Sequence, residues 1–532
     1  MSPVHSMARQ PVFSPQWPGP GRIETPAVLI AAAVAGLVAA IAVPWDRPGV
    51  GWLITGLVAA GATVAAVTRA RRTATTLPTS HLPASIPAAA APTPAAPPPA
   101  LPAAAWVRLL WTTLALALLA VGTMRAAGWL FVWCVLGALI AGTQAVGGGR
   151  SVLSMVVNAF GFPLAAARAL PWSIGGVASA KDRSGRTVVR TAAAVAVGIA
   201  LLVVFGALLA GADAAFEAVL SNVLPTVDGV TVFRWIVLFG LVAPGTLAAC
   251  FLAAAPPNFD TESRRRFALR RIEWALPVGL VVALFAVFVA VQATVLFGGR
   301  DHVLRTANLT YAEYARSGFW QLLVVTALTL VVLAVAARVA ARETAADRIW
   351  LRVLLGALAG LTLVIVASAM SRMWAYEQAY GFTRLRLLVS ACELWLGVLF
   401  VLVLAAGVTL KAPWLPRAVV ATGLLTLLGL AALNPDRFIA ERNIARSAPL
   451  DIAYLSGLSA DAAPALDRLP EPQRSCALRH IVEANQQRGA DSWWQWNLGR
   501  WQADELLRRH PYVDPDPFVV GDGTCWRYEN TP

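Results

Sequence analysis

Charged residues are scarce in this sequence: Asp, Glu, Lys and Arg make up 14% of its 532 residues, and only two of the 43 basic residues are lysines. A soluble globular chain usually carries about 25% charged and about 45–50% apolar residues. Here the hydrophobic fraction is 58%. Together the two fractions exclude an ordinary cytosolic enzyme, a disordered chain and a secreted disulfide scaffold, and they predict an integral membrane protein.

Short enzyme motifs are also missing. The sequence contains no GxSxG elbow, Walker loop, HExxH motif or CxxC framework, and its five histidines give no metal-ligand pattern. We therefore expect neither a metal nor a cofactor. No residue pattern selects a catalytic group, so an enzyme is the less favoured interpretation.

Long apolar runs are what the sequence has instead. A hydrocarbon core about 30 Å thick requires about 20 apolar residues in a helix, and these continuous runs lack the period-two alternation of a membrane barrel. We predict an all-α polytopic membrane helix bundle of about eleven spans. The spans lie near Ala27–Val43, Val50–Val67, Val107–Gly122, Ala127–Val146, Val188–Ala210, Val232–Ala255, Trp274–Phe297, Phe319–Ala337, Leu351–Met370, Leu387–Leu410 and Pro416–Leu433.

One further apolar segment, Ser151–Leu170, is less regular. Asn158 and Pro163 interrupt it, and Arg168 lies near its end. We interpret it as an interfacial or re-entrant helix that stays on the cytoplasmic side. If it crossed the membrane instead, every later element would change sides.

Composition divides the chain into five parts. They are a polar N-terminal tail (1–26), a two-span hairpin (27–67), an Ala/Pro-rich cytoplasmic linker (68–105), a main membrane domain of about nine spans (106–433) and a small helical extracytoplasmic domain (434–532). The linker cannot bury a core, so we expect an extended or disordered spacer there.

The formal net charge of +14 comes mainly from arginines in short connections between the apolar runs. One such cluster includes Arg264–Arg266, whereas the Asp213–Asp228 connection has no basic residue. Cytoplasmic loops carry such an excess of Lys and Arg. We therefore predict a multi-pass protein of the plasma membrane, with a cytoplasmic N-terminus and an extracytoplasmic C-terminus. A nucleic-acid partner is not expected, because no basic face is interleaved with base-stacking aromatics.

The five cysteines fall into two groups. Cys134, Cys250 and Cys392 lie in apolar runs and are interpreted as buried small hydrophobic residues. Cys476 and Cys525 lie in the predicted outer tail. In an extracytoplasmic tail they could form a disulfide that closes a long loop, whereas in the cytoplasm they would stay thiols. We predict the disulfide.

The predicted outer face is rich in Arg, Glu and Tyr. These side chains could line an outward cavity that binds an anionic headgroup or polymer. The alternative is a network of hydrogen bonds and ion pairs between loops that fixes the helix ends. The candidate residues are Tyr311, Glu313, Tyr314, Arg316, Arg372, Tyr376, Glu377, Tyr380, Arg384, Arg386, Arg442 and Asn443.

Glu393 is the most informative single residue, because it lies inside the predicted span Leu387–Leu410. An ionisable group within a span is costly and usually faces a cavity or a partner. Glu393 could carry a proton or a cation. Alternatively, it could pair with an Arg or with Ser and Thr hydroxyls of a neighbouring helix.

The tail after the last span is predicted to be helical, with segments Asp451–Leu458, Asp461–Leu469, Pro472–Gln487 and Ser492–Arg509. Four tryptophans are dense in the fourth segment: Trp493, Trp494, Trp496 and Trp501. We expect them to form the core of a small domain or to dock it on the membrane surface. A carbohydrate-stacking platform is a further alternative.

Several short runs carry a family resemblance. They are Glu313–Phe319 (EYARSGF), Asn434–Asp436 (NPD), Arg442–Arg446 (RNIAR), Leu450–Leu455 (LDIAYL) and Leu458–Leu466 (LSADAAPAL). In this order they resemble bacterial polytopic membrane proteins grouped as domains of unknown function 4153 and 4173, from roughly Arg190 to Arg500. The resemblance implies residence in a bacterial membrane and a shared many-helix architecture. It implies no established reaction, so no catalytic residue is carried over.

These observations favour a non-enzymatic envelope sensor, scaffold or accessory subunit that binds a partner or a lipid on its outer face. The alternative is a secondary transporter of a small or lipid-like substrate that uses Glu393. A membrane-bound transferase ranks third. The expected partners are the lipid bilayer and a membrane or envelope protein, and the sequence does not identify a small-molecule substrate.

Overall fold

The structure of the chain is a computed structural model that is almost entirely helical in the residues it describes. These are residues 27–75, 103–149, 151–179, 198, 201, 205, 209, 229–256, 269–297, 319–410, 412–446, 449–488 and 492–514. In these ranges the one β-type pairing is an isolated bridge between Leu269 and Ala340. The all-α fold class predicted from the sequence is confirmed.

Seventeen α-helices lie in the described ranges. They are α1 (Ala27–Ala42), α2 (Val50–Thr75), α3 (Ala103–Met124), α4 (Gly128–Gly147), α5 (Val152–Phe160), α6 (Phe162–Ser179), α7 (Gly229–Ala254), α8 (Arg271–Phe297), α9 (Phe319–Val339), α10 (Ala345–Tyr380), α11 (Arg384–Thr409), α12 (Leu415–Leu433), α13 (Pro435–Ile444), α14 (Ile452–Ser456), α15 (Ala463–Leu466), α16 (Gln473–Arg488) and α17 (Leu498–Arg509).

In the described part of the chain, nine helices are long and apolar enough to cross a membrane: α2, α3, α4 and α7 to α12. Each corresponds to a predicted span. The predicted span Ala27–Val43 is helix α1, which has 16 residues and is shorter than a full crossing. The predicted span Val188–Ala210 lies largely outside the described residues. The protein is therefore a multi-pass helical membrane protein.

The irregular segment Ser151–Leu170 forms two short helices, α5 and α6, with a bend of 63° between them. Ser151 caps α5 by accepting a hydrogen bond from the backbone N–H of Ser154 at 3.1 Å. Such a bent pair is either a broken span or a re-entrant loop. Both alternatives from the sequence therefore stay open.

Helix α10 is the longest described element. Its 36 residues would extend about 54 Å at 1.5 Å per residue, which exceeds a hydrocarbon core of about 30 Å. Thr344 and Asp347 form a capping box at its first turn. Because the helix is longer than the core, its polar last turns can extend past the apolar layer.

The described helices form two compact units. The first comprises the described residues of Met1–Thr123, Val135–Asp260 and Asp491–Asn497. In it α1 packs against α2 and α7, and a Cβ atom at Gly36 would lie 2.8 Å from the Cβ of Ala243. Small residues of this kind let membrane helices approach closely.

The second unit comprises the described residues of Met124–Cys134, Thr261–Ala490 and Leu498–Pro532. Its membrane helices α8 to α11 pack around Leu358 and Phe400, which are fully buried. The short helices after the last span belong to the same unit and bury apolar side chains of their own. These include Ile439, Leu455, Leu466 and Leu478.

The tryptophan-rich end of the tail differs from the prediction. A 3₁₀ turn at Trp493–Gln495 precedes α17, so the predicted single helix Ser492–Arg509 is wrong in its first turns. Trp493, Trp496 and Trp501 are 69%, 40% and 49% exposed. These three rings therefore do not form a buried core, and docking on the membrane surface stays a prediction. Asn497, in the same segment, is buried and donates to the carbonyl of Gly122 at 2.8 Å.

Candidate functional site

Asp436 lies where the chain turns from the last span, α12, into α13. Asn434 has a left-handed backbone conformation with φ of 56°, and Pro435 occupies the first position of α13. Proline suits this position because an N–H there would lack an intrahelical partner. Asp436 follows in the first turn, and its side chain is fully buried.

Both carboxylate oxygens of Asp436 accept hydrogen bonds. Arg384 donates from Nε to Oδ1 at 2.9 Å and from Nη2 to Oδ2 at 2.6 Å. Trp129 donates from Nε1 to Oδ1 at 3.1 Å, and the backbone N–H of Ser459 donates to Oδ2 at 2.9 Å. Burial alone would raise the pKa of Asp436, but the hydrogen bonds and charge of Arg384 hold this pKa below its usual range. Asp436 is therefore an anion that joins three distant segments.

Asp461 is a second buried carboxylate in the same region. Its Oδ2 accepts hydrogen bonds from the backbone N–H groups of Ala126 at 2.8 Å and Ala127 at 3.1 Å. These residues immediately precede α4, where the helix dipole favours a negative charge. Burial nevertheless raises the pKa of Asp461 to about 6. We call Trp129, Arg384, Asp436, Ser459 and Asp461 the Asp436 cluster.

The second oxygen of Asp461 faces helix α17. Oδ1 has no hydrogen-bond partner within the described ranges, and a Cβ atom at Gly499 would collide with it. Asp461 is 3% exposed and fixed through its other oxygen. Glycine at position 499 is therefore what allows α17 to lie against the cluster.

Tyr454 links the cluster to the short tail helix α14. Its hydroxyl accepts a hydrogen bond from the backbone N–H of Arg384 at 2.8 Å, and burial raises the pKa of the hydroxyl. Asp451 caps α14 by accepting from the N–H of Tyr454 at 2.9 Å. The tail thus contributes both Tyr454 and Ser459 to the surroundings of Arg384 and Asp436.

The turn between α10 and α11 is held by Asn443, one of the predicted site residues. Its Oδ1 accepts from the N–H of Phe382 at 2.8 Å, and its Nδ2 donates to the carbonyl of Phe382 at 2.9 Å. Gly381 precedes Phe382 with φ of 85°, a conformation that favours glycine. Asn443 therefore acts as a clamp on this turn.

Four other predicted residues lie around the same turn. The Arg386 guanidinium lies 4.4 Å from the ring centroid of Tyr376 and donates to the carbonyl of Tyr380 at 3.1 Å. The two tyrosine rings are 4.8 Å apart between centroids. Arg442 lies over the ring of Phe438 at 5.2 Å. The structure therefore brings the predicted aromatic and basic residues together, largely in contact with one another.

Arg372 and Glu377 contact partners on neighbouring helices. Arg372 donates from Nη2 to Oε1 of Gln292 at 2.9 Å. Glu377 is buried and accepts from the hydroxyl of Ser390 at 3.3 Å. These contacts join α10 to α8 and to α11. They are of the kind expected if the polar residues form a hydrogen-bond network that fixes the helix ends, the alternative to a ligand-binding cavity.

Glu393 differs from these residues. It is 0% exposed in the middle of α11, and neither carboxylate oxygen has a hydrogen-bond partner among the described residues. The pairing with an Arg or a hydroxyl group, considered from the sequence, is not found in this part of the chain. An unpartnered carboxyl group at this depth is costly in either protonation state, and the cost is far larger for the charged form.

Several predicted residues lie outside the described ranges: Tyr311, Glu313, Tyr314, Arg316 and Cys525. Cys476 is buried and disulfide-bonded. Its pairing with Cys525 stays a prediction. Cys134 and Cys250 are free and buried as expected, whereas Cys392 is free but exposed on its helix, so its predicted burial is wrong.

Asp436 and Asp461 are not among the site residues predicted from the sequence. Both lie in runs that carry the family resemblance, and Asp436 directly follows a span in the NPD step. This position at the end of a span could have marked Asp436 as a site residue, because an acidic residue there needs a partner. Trp129 and Ser459 gave no such signal, since their contacts with Asp436 span 307 and 23 positions.

Comparison with known proteins now defines the family. The sequence model described as Domain of unknown function (DUF4153) matches residues 113–469. The chain belongs to this family. This match confirms the resemblance to the 4153 group. The matched residues include the whole Asp436 cluster and end before α16. No curated protein and no solved structure gives a significant match to this DUF4153 chain.

Proposed function

We propose that this DUF4153 protein is a non-enzymatic sensor, scaffold or accessory subunit of the bacterial plasma membrane that binds a partner or a lipid on its outer face. One observation carries the proposal: Arg442 presents an exposed guanidinium beside the α10–α11 turn. The outer placement of this turn rests on the arginine-rich loops expected in the cytoplasm.

Arg442 is suited to anion binding. A guanidinium offers five N–H donors in a planar fork that matches carboxylate and phosphate groups. Among the described residues, the guanidinium of Arg442 forms a cation–π contact with Phe438 and no hydrogen bond or ion pair. Phe438 packs edge-on against Phe382 at 5.6 Å between ring centroids. The cation therefore rests on an ordered aromatic base, which lowers the entropy cost of binding.

The surroundings of Arg442 favour a binding surface over a reaction centre. Tyr380 is 53% exposed near the same turn, and Arg386 lies against Tyr376. Tyr and Arg residues of this kind are enriched at sites of recognition. The chemistry suits an anionic lipid headgroup or an acidic segment of another protein.

The experiment is an affinity purification of the tagged full-length protein from its native membrane in mild detergent. Mass spectrometry identifies the proteins and lipids that co-purify. We expect a stoichiometric protein or one strongly enriched anionic lipid with the wild type. The variant Arg442→Ala should reduce its recovery about tenfold, the equivalent of about 1.4 kcal/mol.

Arg437→Ala is the matched control, because Arg437 lies on the same helix but forms an exposed ion pair with Glu441 at 2.9 Å. It should retain the co-purifying component. Equal recovery with both variants would remove Arg442 from the proposal. A wild-type protein that recovers neither a protein nor an enriched lipid would contradict the binding function as a whole.

A second candidate function, a proton-coupled secondary transporter, is favoured by the carboxyl group of Glu393, which is buried and has no hydrogen-bond partner among the described residues. In such a transporter Glu393 would bind and release a proton as the substrate crosses. The test uses proteoliposomes that contain a pH-sensitive dye and are exposed to a panel of small solutes. The wild type should show solute-driven proton flux, and Glu393→Gln should abolish it.

Glu377→Gln is the matched control for the transport test. Glu377 is also a buried carboxyl group of the membrane helices, but it accepts a hydrogen bond from Ser390. It should leave the flux largely intact. Unchanged flux in Glu393→Gln would exclude the proton-coupling role.

A further inference from the structure

Arg446 is a second cation beside Arg442. It lies just past the end of α13, where the backbone N–H of Ala445 donates to the carbonyl of Glu441 at 3.1 Å and that of Arg446 to the carbonyl of Asn443 at 3.3 Å. These bonds continue the last turn of the helix. Arg442 and Arg446 are four positions apart, and side chains at this spacing lie on one helix face with their Cβ atoms about 5–6 Å apart. The two arginine side chains therefore start from the same side of the chain.

Both guanidinium groups lie against the turn between α10 and α11. A Cβ atom at Gly381 would collide with Nη1 of Arg446 and would lie 3.3 Å from its Cζ. Glycine at position 381 therefore makes room for Arg446. Arg442 lies over the ring of Phe438, which packs edge-on against Phe382. Because Gly381 and Phe382 are consecutive, one turn supports both cations.

Neither cation is neutralised. Like that of Arg442, the guanidinium of Arg446 forms no hydrogen bond or ion pair among the described residues. Arg446 is half-buried and its Nε atom is fully buried. A buried donor without an acceptor costs about 1–3 kcal/mol, so an acceptor from outside the described residues is expected at Arg446.

The acidic side chains of α13 and of the last turn of α10 do not supply this acceptor, because each already interacts with another arginine. These pairs are Asp436 with Arg384, Glu441 with Arg437 and Glu377 with Arg386. Two positive charges therefore remain on one side of α13. The positive-inside rule does not explain them, since this turn lies on the predicted outer side.

The number and spacing of the two cations indicate the chemistry of the ligand. A carboxylate has two oxygens and is matched by the fork of a single guanidinium. A phosphate monoester carries about −1.5 to −2 charges at pH 7 and three strong acceptor oxygens. It can therefore accept hydrogen bonds from two guanidinium groups at once and balance both charges.

We propose that Arg442 and Arg446 together bind a phosphate monoester group, carried by an anionic lipid headgroup or by a soluble phosphate. The inference rests on the proposed function, because it concerns the same outer surface. It adds the chemical class of the ligand and a second binding residue.

The test is a titration of the purified full-length protein in nanodiscs of phosphatidylcholine, at constant ionic strength, with the melting temperature as the readout. Dihexanoyl phosphatidic acid should raise the melting temperature saturably. Dihexanoyl phosphatidylcholine, which has the same chains, and hexanoate, which has a carboxylate, should not do so over the same concentration range. An equal response to either of these two compounds would overturn the phosphate assignment.

Inorganic phosphate distinguishes the two sources of the ligand. A response at the same concentrations as phosphatidic acid would support a soluble phosphate, and a response to phosphatidic acid alone would support a lipid headgroup. A wild-type protein that responds to neither compound would overturn the proposal.

Variants of the two arginines test the site itself. Arg442→Gln and Arg446→Gln should each raise the half-saturating concentration about tenfold, the equivalent of about 1.4 kcal/mol. Arg437→Gln is the matched control, because Arg437 is already paired with Glu441, and it should respond as the wild type does. An unchanged response in Arg446→Gln would refute the pairing of the two arginines.

Arg446→Lys covers the case in which Arg446→Gln does not fold. Lysine keeps the charge but lacks the planar fork of donors, so this variant should show a smaller loss in the same direction. A wild-type response in Arg446→Lys and in Arg442→Gln would overturn the site.

Failure of the phosphate site can be distinguished from failure of the proposed function. A component that co-purifies with the wild type but not with Arg442→Ala, without any response to phosphate, would overturn the phosphate site and leave the binding surface in place. Absence of both the co-purifying component and the phosphate response would contradict both proposals.

Discussion

Arg384 and Asp436 form a two-point ion pair, with Nε–Oδ1 and Nη2–Oδ2 distances of 2.9 and 2.6 Å. The carboxylate is fully buried, whereas the arginine side chain is 32% exposed. The pair joins the first turn of α11 to the first turn of α13 across 52 positions of sequence. It fixes where the chain leaves the membrane relative to the start of a neighbouring span.

Removing either member of this pair should destabilise the protein. Arg384→Met leaves a buried carboxylate without its main partner, and such losses cost about 3–5 kcal/mol. Because Arg384 is partly exposed, we expect the lower end of that range. Replacing Asp436 as well, in Arg384→Met with Asp436→Leu, should recover part of the loss. Thermal unfolding of the two single variants and the double variant measures the coupling free energy.

The exposed ion pair between Arg437 and Glu441 provides the comparison for these variants of Arg384 and Asp436. Exposed ion pairs contribute about 0–1 kcal/mol, so Glu441→Gln should change the unfolding temperature little. If Arg384→Met behaved like Glu441→Gln, the Asp436 cluster would not stabilise the fold.

Asp461 should make the stability depend on pH. Burial raises its pKa to about 6 from the ordinary 3.8 of an aspartate, so the folded protein binds this proton more tightly than the unfolded chain. The stabilising contribution is complete below about pH 4 and is lost as pH rises through 6, by about 3 kcal/mol. The melting temperature should therefore increase between pH 7.5 and pH 5, and Asp461→Asn should reduce that increase.

Asp436 does not obscure this measurement, because its pKa is lowered. Its stabilising contribution is lost only when pH falls below the usual carboxyl range, outside the window from pH 5 to 7.5. Asp451→Asn, at an exposed helix cap, should leave the pH profile unchanged. An identical profile in Asp461→Asn would show that other groups set the pH dependence.

Gly499→Ala should destabilise the tail, although alanine favours a helix by about 1 kcal/mol over glycine. The added methyl group would collide with Oδ1 of Asp461, whose other oxygen is bonded to Ala126 and Ala127. Overpacking of this kind costs about 1–3 kcal/mol. Gly457→Ala is the control, because its Cβ would meet only the carbonyl of Tyr454 at an ordinary 3.5 Å. Comparable unfolding temperatures of the two variants would contradict the close approach at Gly499.

The tail should be extracytoplasmic, with a disulfide between Cys476 and Cys525. Cys476 is already disulfide-bonded in the structure. Membranes isolated in N-ethylmaleimide and digested without reductant should give a linked peptide containing both residues by mass spectrometry. Alkylated Cys476 and Cys525 would instead indicate a reducing, cytoplasmic environment and reverse the predicted orientation.

The membrane helices were predictable because hydrophobicity is a local property. Runs such as Leu387–Leu410 need no partner to be recognised, and α11 begins and ends within a few residues of that run. Glu393 could likewise be chosen from sequence, because an acidic residue inside an apolar run is conspicuous. That its carboxyl group has no hydrogen-bond partner in the part of the chain that the structure describes could not be predicted, since its neighbours come from other helices.

The Asp436 cluster shows the opposite case. Ala126 and Asp461 are 335 positions apart, and no periodicity or motif relates them. Of the roles expected for the tail tryptophans, a buried core is not found for Trp493, Trp496 and Trp501, for a similar reason, and docking on the membrane surface stays a prediction. Hydrophobicity predicts that Trp493 avoids water, but it does not say whether protein or lipid covers the ring, and in the structure the ring stays exposed.

The sequence by itself determined that this protein is a helical, multi-pass membrane protein, because a span requires only enough consecutive apolar residues. Its short runs such as NPD and RNIAR also indicated the DUF4153 family. Tertiary structure decided which polar groups are satisfied. Asp436 meets Arg384, Asn443 clamps Phe382, and Glu393 meets no partner in the described ranges. Polar pairing depends on distances of about 3 Å between atoms of different helices, and such distances exist only once the helices have packed.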